Sequence, residues 1–234
     1  MNRWAFAAAV ALVLAALAAV GLANLPTLYA ELGVVLGQQP IYSPLRPPPS
    51  PLKKTPPGPA LGAVSHGYWR VQQIAPATYA IGEPQDDPDN YEYLLLGRTR
   101  ALLIDAGASA RDIRLVLRDL TDLPVTVIPT HLHFDHTNGL AHADRIALID
   151  LPETRALVRD GKVRLRRLEY LQPLKDKPPQ FAVSDWIAPD GRIDLGDRQV
   201  RVLSTPGHTA TSVSIFDPAA RLLFTSDLIY TTTL

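Results

Sequence analysis

Residues 130–139 read T-H-L-H-F-D-H-T-N-G, and no other stretch narrows the possible folds of this chain as tightly. Three imidazoles and a carboxylate fall between His131 and His136. That is too dense for one stripe of a helix, and strand alternation would not aim all four side chains at one point. A tight loop wrapped around a cation does. Residues 124–129, P-V-T-V-I-P, form a short β-branched apolar run bounded by prolines, the pattern of a buried strand that stops where the histidines begin. The candidate ligands therefore stand at the carboxyl end of a strand. His131 and His133, two apart, can project from an extended turn onto one metal, while the adjacent Asp135 and His136 turn toward a second. Imidazole and carboxylate suit zinc and related divalent ions, and the absence of cysteine excludes thiolate ligation.

These residues resemble the metal-binding signature of the metallo-β-lactamase superfamily, and the resemblance runs from about Tyr68 to the C-terminus. Residues 93–107 (Y-L-L-L-G-R-T-R-A-L-L-I-D-A-G) resemble its opening hairpin, whose strand ends in Asp-x-Gly. Residues 205–209 (T-P-G-H-T) resemble the turn that supplies a further histidine, and residues 224–227 (F-T-S-D) the strand that ends in a bridging aspartate. The resemblance implies an α/β fold of the αββα sandwich type. It also implies a ligand set: His131, His133 and His208 on one metal, Asp135 and His136 on the other, and Asp227 bridging the pair. The activity implied is hydrolysis of a small ester, lactone or thioester by a metal-bound hydroxide, with two divalent ions, zinc or alternatively iron or manganese, and with Asp135 taking up the released proton. Tyr230 stands three residues after Asp227, the offset at which the lactonase branch carries a tyrosine that stabilises or protonates the reacting ester. A bridging aspartate sets the chain apart from true β-lactamases and aligns it with the glyoxalase II and lactonase-like branch. That family closes its second site with a last histidine beyond a further helix and strand. The six histidines (66, 131, 133, 136, 142 and 208) supply none, so the expectation is a C-terminally incomplete sandwich lacking its last helix and strand. Two alternatives follow: a phosphodiesterase-type hydrolase, and a non-catalytic metal-binding module, motivated by the absent histidine.

The rest of the chain divides into three parts. After Arg3 no charge occurs before Glu31, and residues 4–23 are an alanine, leucine and valine run of about the length a bilayer-spanning helix needs. Residues 1–30 are thus expected to be a membrane anchor or, with residues 21–23 as a passable cleavage site, a signal peptide. Residues 31–62 are a linker, proline-dense from residue 39 and therefore extended and semi-rigid. Arg3 on the cytoplasmic side would put the domain, residues 63–234, on the extracytoplasmic (periplasmic) side, anchored or secreted. A formal net charge of +0 argues against a nucleic-acid partner and leaves a small-molecule substrate. His66 and His142 read as surface or packing residues. The acidic residues 83–92 read as a solvated loop bordering the site, and Ser109 with Asp112 as the start of a helix whose stripe is Ile113, Val116, Leu117 and Leu120. Residues 145–149 suggest a strand and 152–159 a short helix begun by proline. The basic residues 162–177 suggest a solvated insertion or a lid for anionic groups. Residues 192–203, 211–216 and 222–226 read as successive strands.

Overall fold

The computed structural model describes residues 64–65, 67–83, 87–166, 170 and 178–229. The expected anchor and linker, His66, Tyr230 and most of residues 167–177 lie outside them. Among the described residues no helix is long and apolar enough to cross a membrane.

The first sheet takes its strands in sequence order: β1 (Val64–Ser65), β2 (Trp69–Ala75), β3 (Thr78–Glu83), β4 (Asp87–Leu96), β5 (Ala101–Ile104) and β6 (Val125–Ile128). Pairing is antiparallel as far as β5 and parallel from β5 to β6. A parallel pair needs a crossover, and helix α1 (Arg114–Leu120) supplies it. The run A-L-L-I of β5 is buried at every position because both faces of the sheet are covered. On one face Ile81, Leu94, Leu103 and Val127 join the α1 stripe of Ile113, Val116 and Leu117 in a first core.

After the motif loop, with its short helix α2 (Phe134–Thr137), come β7 (Ala147–Ile149), α3 (Pro152–Arg155), β8 (Val158–Arg159), β9 (Lys162–Arg164), β10 (Gln180–Phe181) and β11 (Asp185–Ile187). β11 pairs in parallel with β7, and β8 to β10 make a small sheet of their own. The last four strands, β12 (Arg192–Asp194), β13 (Gln199–Ser204), β14 (Val213–Asp217) and β15 (Leu222–Phe224), form an antiparallel second sheet. Its inner residues Ile193, Leu195, Val200, Val202, Val213, Ile215 and Phe224 pack on Leu95, Leu102, Ile104 and Ile128 of the first. Two sheets therefore close on one apolar layer, with α1 on the outer face of the first sheet.

Four local expectations need correction, the first at residues 83–92, expected as a solvated loop, where Glu83 ends β3 and residues 87–96 run as β4. The crossover helix begins at Arg114, not at Ser109, because the Ser109 hydroxyl is taken by Glu83 and Asp112 receives the Arg114 N–H at 3.1 Å. The proline-begun helix stops at Arg155, since Val158 and Arg159 pair with β9. Residues 192–203 are a hairpin rather than one strand: Asp194 faces Gln199 across a turn that contains Gly196 with φ +108.

Candidate metal centre

The end of β6 delivers the chain into the interior between the sheets. The Thr130 carbonyl accepts the Val213 N–H at 2.8 Å, which ties the motif loop to β14. Beyond it the backbone is extended at His133 and then closes into α2, where the Thr137 hydroxyl donates to the His133 carbonyl at 2.8 Å. This path buries His131, His133 and His136. Around the His131 ring, the His133, His136 and His208 ring centroids lie at 4.4, 4.1 and 4.8 Å. His208 comes from the loop after β13, and Asp227 from the turn Ser226–Leu228 after β15.

Two groups of ligand atoms result. In each of His131, His133, His208 and His131, His136, Asp227, all ligand atoms lie within 4.8 Å of one another. Asp227 faces both ways, with Oδ1 3.4 Å from His136 Nε2 and Oδ2 3.5 Å from His208 Nε2. Asp135 Oδ2 stands 3.4 Å from His136 Nε2, and the Asn90 side-chain amide holds the Asp135 carbonyl. The motif histidines, Asp135, His208 and Asp227 are thus brought together from both sheets. His142 is not among them: its Nε2 meets the Ala110 carbonyl at 3.0 Å on the surface.

A layer beneath the ligands decides which nitrogen each imidazole presents. Asp105, at the end of β5 with φ +64, places Oδ2 2.9 Å from His136 Nδ1 and accepts the Thr130 N–H at 2.6 Å. It also accepts the single hydroxyl proton of Thr130, at 2.9 Å. The Thr130 oxygen is then an acceptor for His131 Nδ1 at 3.3 Å, and it lies 2.8 Å from the Ser226 hydroxyl oxygen. With both Nδ1 atoms carrying the proton, the Nε2 lone pairs of His131 and His136 point into the cluster. His131 Nε2 is buried without a hydrogen-bond partner among the described residues, an orphan that a cation could satisfy. Asp105 and Thr130 were not among the site residues inferred from sequence, although the D-A-G ending of β5 was the available signal.

Titration of these groups follows their surroundings. Burial, then the neighbouring imidazoles His136, His133 and His208, pushes His131 well below the usual histidine range. Burial and the His208 imidazole bring His133 down to about 4, leaving both rings neutral as ligands must be. His136 goes the other way. Burial opposes its charge, but the Asp105 charge and hydrogen bonds to Asp105, Asp135 and Asp227 raise it well above the ordinary value. A second proton on His136 occupies the place where a cation would sit between the same carboxylates. For Asp135 burial acts upward, yet the hydrogen bond and charge of His136 hold the carboxyl below its ordinary value.

The family model of the metallo-beta-lactamase superfamily matches residues 91–233, from β4 through the Asp227 turn. The chain belongs to this superfamily. Among curated proteins it is 30% identical over 158 residues to the acyl-coenzyme A thioesterase MBLAC2 of Gallus gallus, covering 59% of this chain and 57% of that protein. It is 27% identical over 108 residues to the hydroxyacylglutathione hydrolase of Mesorhizobium japonicum, covering 46% of this chain and 34% of the relative. The chain therefore spans little more than half the length of the first of these superfamily relatives. The FEZ-1 metallo-beta-lactamase of Legionella gormanii shares the fold, with a TM-score of 0.50 at 18% identity over 67% of this chain and 60% of that one. Superfamily members bind divalent metals at such clusters, and the neutral imidazoles, the orphaned His131 Nε2 and the two-faced Asp227 carboxylate fit that role.

Proposed function

We propose that this superfamily member hydrolyses the acyl bond of a small ester, lactone or thioester with the help of two divalent cations, zinc foremost and iron or manganese as alternatives. The observation that carries it is Asp227, whose two oxygens address His136 and His208 separately. His131, His133 and His208 would hold one cation, Asp135 and His136 the other, with Asp227 shared. Cations held this way lower the pKa of a water and polarise the carbonyl under attack. The chain's own share is orientation and proton handling. Asp105 and Thr130 keep the ring protons on Nδ1. Asp135, held ionised by His136, takes the proton released as the carbonyl carbon becomes tetrahedral. Tyr230 would donate a hydrogen bond to the reacting ester or its leaving group. The names of the relatives, acyl-coenzyme A thioesterase and hydroxyacylglutathione hydrolase, favour a thioester within this class. Residues 4–23 would hold or deliver the domain at the extracytoplasmic side of a membrane.

The test is turnover of an ester, lactone and acyl-thioester panel after loading with zinc, manganese or iron. His133→Ala should lower kcat/KM by about a hundredfold or more, the equivalent of the several kcal/mol a Lewis acid supplies. Unchanged turnover in that variant overturns the proposal. Cleavage of bis(p-nitrophenyl) phosphate alone would move the chain to phosphodiester chemistry, and full cation occupancy without any turnover would make it a binding module.

A further inference from the structure

Glu83 closes β3, is 1% exposed, and takes no part in the ligand cluster. Its carboxylate accepts the Ala108 N–H at 2.7 Å, the Ser109 N–H at 3.1 Å and the Ser109 hydroxyl at 2.8 Å. The loop folds so closely over it that a Cβ on Gly107, whose φ is +82, would lie 2.7 Å from both carboxylate oxygens. Glycine is therefore required there on both counts.

The upper side of the same loop meets the metal motif repeatedly. Asp105 orients His136 and Thr130, and the Ala106 N–H donates to the His136 carbonyl at 3.0 Å. Gly139 lies against the Ala106 carbonyl with no room for a side chain, and the Asn138 amide donates to the Ala108 carbonyl at 2.5 Å. Tyr170, from the connection between β9 and β10, in turn donates its hydroxyl to Asn138. Loop 105–109 is thus clasped between an anion below and the motif above. A displacement of the clasp moves Asp105, and with it the Nδ1 anchor of His136. Of the tris-histidine group only His131 is reached, indirectly through Thr130, while His133 and His208 are carried by α2 and the loop after β13.

Building on the two-cation reading above, we propose that Glu83 is a positioning residue for the cation held by Asp135, His136 and Asp227, acting through loop 105–109 on Asp105. The anion is what gathers three donors at one point; an apolar side chain of the same size would leave two peptide N–H groups buried and unpaired.

The experiment titrates metal-free protein with cobalt(II), reading the visible absorption of each equivalent in wild type, Glu83→Gln, Glu83→Ala and Ser109→Ala. The expected result is a dissociation constant for the second equivalent raised about tenfold or more in the Glu83 variants. The first equivalent, reached only through Thr130 and His131, weakens by about threefold at most and keeps its wild-type spectrum. Ser109→Ala, which keeps the charge and loses one donor, should fall between and covers the case in which Glu83→Ala does not fold. Both equivalents weakening together, or neither changing, would overturn the role given to Glu83. Wild-type protein that takes up only one cation would instead overturn the two-cation reading itself.

Discussion

Glu92 offers a test of the fold that needs no cation. It lies in β4 opposite Ile81, is 0% exposed, and neither carboxyl oxygen has a hydrogen-bond partner among the described residues. Burial, reinforced by the charges of Glu83 and Asp105, raises its pKa well above the ordinary 4.5. Below that ordinary value both the folded and the unfolded chain hold the proton, and the group has no pH-dependent effect. As the pH climbs past it, the unfolded chain releases the proton while the folded one keeps it. The folded state then loses about 1.4 kcal/mol for each pH unit, until its own raised value is reached. A further penalty, independent of pH, comes from burying an unpartnered polar group and is about 1–3 kcal/mol. Glu92→Met keeps the length of the side chain and removes both terms. The variant should melt above wild type even at low pH, and the gap should widen by roughly 3–5 °C per pH unit for a domain of this size. Thermal melts followed by circular dichroism at acidic, mildly acidic and neutral pH measure it. A gap that stays constant across the series, or a destabilised variant, would show that the carboxyl ionises against a partner in the fold and would refute the reasoning.

Two further outcomes follow from buried charges, one beneath the candidate metal site and one away from it. Asp105→Asn preserves shape but presents an amide to His136 Nδ1 and Thr130, so affinity for the cation at the His136 site should fall by about 10–100-fold, measured by competition with a chelator. Arg198→Ala should destabilise the fold by about 3–5 kcal/mol in urea unfolding while leaving cation affinity within about twofold. Its guanidinium reaches buried Asp217 at 2.7 Å and the Ala77 carbonyl at 2.8 Å, joining the second sheet to the β2–β3 turn far along the chain from the motif loop.

What was legible in the sequence was whatever lay close together along it. The motif loop announced itself because its candidate ligands are separated by one to five residues and follow an apolar strand, and His208 and Asp227 because each follows a short, distinctive strand ending. The layer beneath was not legible in the same way. Asp105 meets Thr130 and His136 across 25 and 31 residues, and Glu83 meets Ser109 across 26, so nothing local marks those carboxylates as buried. A sequence reports that a side chain is polar, and polarity by itself predicts water.

At residues 83–92 two sequence signals compete, charge and alternation. The negative charges suggested a solvated loop, yet Glu83 ends β3 and residues 87–96 run as β4. In Y-E-Y-L-L-L the period of two puts Glu92 on the same face as Leu94, which belongs to the core against α1, and opposite Ile81. Alternation was therefore the stronger signal, because it fixes which face a side chain must occupy whatever its charge. Burial of Glu92 without a partner is a standing cost to the fold, while Glu83 and Asp105, equally buried, each gather donors that bear on the ligands. The acid whose removal should stabilise the protein and the two whose removal should weaken cation binding are separated by that difference alone.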